Sequence, residues 1–184
     1  MTDSESPSQE KSTSTWRRLR DRRATRWAMD IALIIGVIML VSAFQSRHLL
    51  SGDDPLPPAE LEALDGSTLS LDELDTRRTV IYFWATWCGA CDLQSGAINS
   101  LYHRAGDDLE VISIVLSYED REEVKRHVAA ESIDYPVYLG TPGLAERFNV
   151  NSYPTIYIID DALRVRHGLV GYTTRFGLQA RMWF

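Results

Sequence analysis

Cys88 and Cys91 are the two cysteines of the chain, and they stand in the run Trp84-Ala85-Thr86-Trp87-Cys88-Gly89-Ala90-Cys91. An apolar stretch, Thr79-Val80-Ile81-Tyr82-Phe83, precedes the run, and a segment able to form a helix follows it. A strand that turns into a helix here puts Cys88 at the helix N-terminus, where unpaired N–H groups and the macrodipole favour negative charge. A thiolate is such a charge, and it is the nucleophile of disulfide exchange. Cys91, three residues on, shares the helical face of Cys88 and can close a ring with it. The chemistry that suits this spacing is dithiol–disulfide exchange. Cys88 is the attacking thiol, and Cys91, a turn further in and partly covered, is the resolving one. Zinc would need four protein ligands, and there is no second C-x-x-C. His48, His103, His127 and His167 are scattered singly, each read as a surface or helix-face residue, so no metal site and no cofactor is expected. Soft thiolates do suit Cu(I), which leaves a two-thiolate copper module as the alternative.

The elements that must position this pair are readable from pattern. Leu64-Asp65-Gly66-Ser67 between short alternating runs predicts a hairpin, with a helical turn after it near Leu71 to Leu74. Val80–Trp84, Glu110–Leu116 and Thr155–Ile159 read as buried strands, being apolar on both faces. The helix from Cys88 to about His103 offers Cys91, Ile98, Leu101 and Tyr102 as core or site contacts. A second helix spans Asp120 to about Ala130, with Val124 and Val128 at i and i+4. Tyr135–Tyr138 is a short extended piece, Leu144–Phe148 a helical turn, and Arg164–Val170 an edge-like strand. Thr173 or Thr174 caps a last helix running to Phe184. Trp84 reads as packing, whereas Trp87, beside Cys88, shapes an apolar patch on which partners dock. Strands alternating with helices, then a hairpin and a terminal helix, give an α/β mixed sheet with helices on both faces.

The N-terminal third has a different character. Residues 1–15 are polar and read as a disordered tail. Arg17, Arg18, Arg20, Arg22, Arg23 and Arg26 follow, just ahead of a stretch in which Trp27–Ser46 holds only Asp30 as a charge. Twenty helical residues cross a hydrocarbon core of roughly 30 Å. Arginines on the N-terminal side keep that side cytoplasmic and export the rest. An uncleaved single-pass anchor is favoured over a cleaved signal peptide, for which Val41-Ser42-Ala43 would offer the cut. Either way the cysteines end where disulfides persist. The expected organisation is a cytoplasmic tail over 1–26, a transmembrane signal-anchor over 27–46, a stiff Pro- and Asp-bearing linker over 47–60, and a folded domain over 61–184. Residues 53–184 carry eleven Lys/Arg against twenty-one Asp/Glu, which excludes a nucleic-acid binder needing a basic face.

The Trp-Cys-Gly-Ala-Cys run, with Tyr153-Pro154-Thr155 downstream, resembles the membrane-tethered thioredoxin-like disulfide oxidoreductases of the bacterial envelope, the TlpA/ResA/DsbE group. Within it the chain looks most like the ScsD (suppressor for copper sensitivity protein D) type, from about Leu61 to the C-terminus. The resemblance implies a thioredoxin fold preceded by a hairpin. It also implies a C-terminal domain in the periplasm, protein thiols and disulfides as substrates, and a membrane electron donor or acceptor. It implies a reductant, with a disulfide donor as the alternative. Pro154 matches the family's cis-proline, which lies against the disulfide, keeps Cys88 open and leaves the Tyr153 backbone free to pair with an extended substrate. An ordinary trans proline entering a strand stays open from the residues alone. Trp87, Tyr153, Pro154 and Thr155 are the expected substrate contacts. Three positions depart from the family. Tyr82 and Gln94 stand where carboxylates are common, and Gly96 replaces a helix-kinking proline. Asp92 is the only acidic neighbour of the pair and reads as a solvated surface residue.

Overall fold

The computed structural model describes residues 26–27, 29–37, 40–41, 49–50, 52, 54–74 and 77–183. It divides into two compact units, residues 1–44 and 45–184. In the first unit residues 29–37 are helical, and the apolar side chains along them, among them Ile31, Leu33 and Ile35, are exposed. Among the described residues, no helix is long and apolar enough to cross a membrane. The tail over 1–25 lies outside the description, as do residues 28, 38–39 and 42–46 of the expected span.

The second unit is built on an eight-stranded sheet in the order β1-β8-β7-β4-β5-β6-β2-β3. Its strands are β1 Asp54–Pro55, β2 Glu60–Ala63, β3 Thr68–Ser70, β4 Arg78–Ala85, β5 Leu109–Ser117, β6 Val137–Leu139, β7 Thr155–Asp160 and β8 Arg164–Val170. The helices are α1 Gly89–Tyr102, α2 Arg121–Ala130, α3 Pro142–Arg147 and α4 Arg175–Trp183, and a 3-10 turn spans Leu71–Glu73. β4 is central, parallel to β5 and antiparallel to β7. Its residues alternate between two cores, which is why the strand is apolar on both faces. Val80, Tyr82 and Trp84 meet α1, α2 and α4 through Ile98, Leu101, Val124, Leu178 and Met182. Ile81 and Phe83 meet α3 and the 3-10 turn through Leu144, Phe148 and Leu71 on the other side. This is the thioredoxin fold, with a mixed sheet and flanking helices.

Local signals account for the helix starts. Asp120 accepts the N–H of Glu123 at 2.7 Å and caps α2. Thr141 caps α3 ahead of Pro142. At α4, Thr174 Oγ1 accepts from Gly177 N–H at 3.2 Å, choosing between the two threonines proposed. The Asp65-Gly66 hairpin turns with Gly66 at φ +89°, a conformation that suits glycine.

Two expectations need correction. The described residues of the stretch read as a linker, 49–50, 52 and 54–60, are part of the folded unit. Leu49, Leu56 and Ala59 are buried in the α3-side core. Leu56 N–H donates to Leu163 O at 2.8 Å, and β1 pairs antiparallel with the start of β8. Its prolines and aspartates set its extended shape, but the isolated apolar residues between them dock it. Tyr102, expected in the core or site, is exposed at the end of α1, beyond the residues that face the sheet.

Candidate active site

β4 runs through Trp84-Ala85 into a turn at Thr86-Trp87, and Cys88 is the N-cap of α1 in extended conformation. Its Sγ takes the place of a capping oxygen: it accepts the Cys91 N–H at 3.2 Å. Sulfur at position 88 therefore sits on the positive end of α1 in fact as well as in pattern. Cys88 and Cys91 form a disulfide with Cα atoms 5.2 Å apart. Cys88 keeps 6% of its surface and Cys91 1%. The ordering of exposure matches the attacking and resolving roles, but Cys88 is more covered than an open thiol would be. Both cysteines belong to the core cluster into which Tyr153 packs.

The Tyr153–Pro154 bond is cis. The ring of Tyr153 meets Trp87 edge to face, with centroids 5.8 Å apart, while Trp87 stays 69% exposed and donates Nε1–H to Ser117 Oγ at 2.9 Å. The backbone of Tyr153 makes no hydrogen bond among the described residues, whereas Pro154 O accepts from Gly171 N–H at 2.8 Å. Trp87, the residue before Cys88, thus meets Tyr153, to which Pro154 is joined by the cis bond. Thr155 differs: its side chain is fully buried and donates to Ser152 O at 2.7 Å, so it braces the proline loop and offers no side-chain group to a substrate.

Beneath the disulfide lies a hydroxyl network. Tyr82 and Ser95 both donate to Cys91 O at 3.1 Å, and Tyr135 donates to Ser95 Oγ at 3.0 Å. Burial pushes both phenols far up, so they stay protonated donors at any physiological pH. Gln94 is fully buried, and its amide pairs with one residue twice. Oε1 accepts Thr173 N–H at 2.7 Å, and Nε2 donates to Thr173 O at 3.0 Å. By its type Gln94 marks only the absence of a carboxylate. It pins the loop after β8 to α1, a role that only the fold could reveal, because the two residues are distant in the chain.

Asp92 and His127 also depart from expectation. Asp92 Oδ1 has no accessible surface and lies 3.3 Å from His127 Nε2. The His127 ring stacks on buried Trp84, with centroids 5.1 Å apart and planes 30° from parallel. The Asp92 side chain keeps 35% of its surface and only its Oδ1 is covered, whereas His127, at 15%, is no plain surface group because it lies against Trp84. Of the other histidines, His103 is exposed and pairs with Asp134 at 2.8 Å, and His48 lies outside the described residues. His167, far from the cysteines along β8, is held below its usual range by burial and by Arg181 and Arg166. Among the described residues no group of three or more His, Cys, Asp or Glu could hold a metal ion.

The AhpC/TSA family matches residues 53–168, more than half of the chain. The chain belongs to the AhpC/TSA family. A thioredoxin-like protein of Haemophilus influenzae is 33% identical over 71% of this chain and 80% of its own length. The thiol-disulfide oxidoreductase ResA of Bacillus cereus is 24% identical over 79% of this chain and 84% of its own. Among solved structures, a thiol:disulfide interchange protein from Chlorobium tepidum has the same fold at 24% identity, with a TM-score of 0.63, over 72% of this chain and 96% of that one. Family, fold and the Cys88–Cys91 pair agree: the protein is a thioredoxin-like thiol-disulfide oxidoreductase of the DsbE/ResA/TlpA group.

Proposed function

We propose that the protein is an envelope oxidoreductase of the ScsD type, anchored in the inner membrane by residues 27–46, that reduces disulfides in protein clients in the periplasm. Cys88 as thiolate attacks a client disulfide, one client sulfur leaves as thiolate, and a mixed disulfide holds the other. Cys91 then attacks Cys88 Sγ, releases the client's second sulfur and leaves the Cys88–Cys91 disulfide. A membrane donor returns two electrons to the pair. The observation that carries this reading is the Cys88 sulfur serving as the cap of α1, which favours its ionised form over that of Cys91. The cis Tyr153–Pro154 bond, the unbonded Tyr153 backbone and the exposed Trp87 support an extended client segment lying alongside. The arginines at 17–26 ahead of the apolar stretch support the anchor and its orientation.

Trapping tests the order of attack. Cys91→Ser should accumulate mixed disulfides with client proteins that dissolve in reductant, and Cys88→Ser should accumulate none. Equal yields from the two variants would remove the assignment of roles. Direction is read by equilibration with glutathione. A reduction potential well below about −200 mV agrees with a reductant, and one near −120 mV makes the protein a disulfide donor. Competition against a Cu(I) chelator tests the copper module, which here would have only two sulfur ligands.

A further inference from the structure

The redox chemistry leaves unused a cleft of about 700 Å³ in the second unit. Arg78, opposite Leu109 of β5 and Asp160 of β7, places it at the end of the sheet where β4 begins. The disulfide follows the other end of β4, and eight strand residues set the two ends roughly 25 Å apart. The end of α1, the turn after it and the last turn of α4 close the sides through Leu101, Arg104, Arg181 and Met182. The floor is apolar, since Leu101, Ile158, Ile159 and Met182 are all buried. The rim is cationic. Arg77, Arg78, Arg104, Arg166 and Arg181 line it, five of the eleven Lys/Arg that residues 53–184 hold against twenty-one Asp/Glu. Asp108, Asp160 and Asp161 offset three of these charges and leave two. Arg77 meets Asp108 at 3.3 Å and Arg166 meets Asp160 at 3.8 Å, whereas Arg104 and Arg181 make no ion pair among the described residues. His167, which also lines the cleft, is held below its usual range by burial first, then by Arg181 and Arg166. Like charges crowded together repel, so a cationic cleft in an acidic domain is stabilised by an anion from outside.

We propose that this cleft binds a phosphate monoester carried on an apolar body, an occupant separate from the disulfide clients. Arg104 and Arg181 hold the phosphate, and the body lies on Leu101, Ile158 and Met182. Two uncompensated positive charges match a phosphate that carries close to two negative charges at neutral pH, whereas a lone carboxylate would answer only one. Guanidinium forks pair with phosphate oxygens through two parallel N–H donations. The volume falls in the range of about 300–1,000 Å³ that small organic ligands occupy, and an apolar lining with a few polar groups is their usual setting. Because the cleft and Cys88 lie at opposite ends of β4, ligand and client do not compete for one place.

The test follows the imidazole proton signals of the full-length protein in a neutral detergent by NMR, as phenyl phosphate is added at constant ionic strength. His167→Gln identifies the His167 signal by its loss. Phenyl phosphate should raise the His167 pKa by about one pH unit, as an opposite charge brought close does. His127, stacked on Trp84 away from the cleft, should keep its signal unchanged and shows that each variant is folded. Arg104→Gln and Arg181→Gln, both at exposed positions, should each weaken phenyl phosphate about tenfold or more, the loss expected for one charge-assisted pair. Inorganic phosphate should bind more weakly than phenyl phosphate, because it leaves the apolar floor uncovered. A His167 signal unmoved by about 10 mM phenyl phosphate, short of even millimolar affinity, would overturn the proposal. Wild-type affinity in both arginine variants would overturn it too, as would inorganic phosphate binding as tightly as the ester.

Discussion

Gln94 carries both halves of an amide where solvent does not reach, and each half meets the backbone of Thr173. A glutamate at this position keeps the acceptor but, once ionised, loses the donor and brings a charge into a buried place. Burial raises the folded-state pKa of such a carboxyl above its unfolded value of about 4.3. Below about 4.3 both states are protonated, and a protonated carboxyl can accept and donate much as the amide does. As pH rises from there toward the folded pKa, the folded state keeps a proton that the unfolded state has lost, and stability falls. Gln94→Glu is therefore expected to cost about 1–3 kcal/mol near pH 8 and much less near pH 4. Urea midpoints of variant and wild type at the two pH values check this, and a deficit independent of pH would count against it. Thr155 shows the same economy at the other side of the site. Its hydroxyl holds Ser152 O, so the strand start is braced from within.

The edge of the sheet that is formed by β1 and β8 depends on residues whose composition suggests a spacer. Leu56 is 8% exposed, and its N–H bonds Leu163 O at 2.8 Å. Leu56→Ala is expected to destabilise the domain by about 2–4 kcal/mol, as truncation of a buried leucine does. A chain starting at residue 61 should likewise melt lower than one starting at residue 45, and a linker would have made both changes silent. Denaturation of the three proteins side by side measures it. The contrast explains what could be read beforehand. β4, β5, β7 and α1 were legible because each repeats its signal over many residues, and Asp120 and Asp65-Gly66 because capping and turn chemistry are local. Leu49, Leu56 and Ala59 were hidden because single apolar residues among Pro and Asp carry no period. At the site the cysteine pair was legible from type and spacing, whereas the cis bond at Pro154 came from the family resemblance, since the residues alone left a trans proline open. Asp92 with His127, and Gln94 with Thr173, were not legible, since each contact joins elements distant in the chain. Cys88, 6% exposed, is more covered than its position at a helix start suggested, because it belongs to the same buried cluster as Cys91.

At the scale of the whole chain, charge and apolar content divide sharply. Residues 1–26 carry seven Lys/Arg against four Asp/Glu, and residues 53–184 carry eleven against twenty-one. Positive charge beside an apolar stretch is retained in the cytoplasm, whereas acidic residues contribute little to orientation. A C-terminal fusion is therefore expected to give activity with alkaline phosphatase, which needs an oxidising compartment, and none with a reporter confined to the cytoplasm. Replacing the six arginines at 17, 18, 20, 22, 23 and 26 with Gln should weaken that preference, because the signal is in their charge. The fusion should also stay in the membrane pellet after a carbonate wash, since a mainly apolar stretch of twenty residues holds far more strongly than a surface contact. Release into the supernatant, with phosphatase activity kept, would mean that the segment is cut after export. Activity of the cytoplasmic reporter would place the disulfide where thiols are kept reduced, and the envelope assignment would go with it.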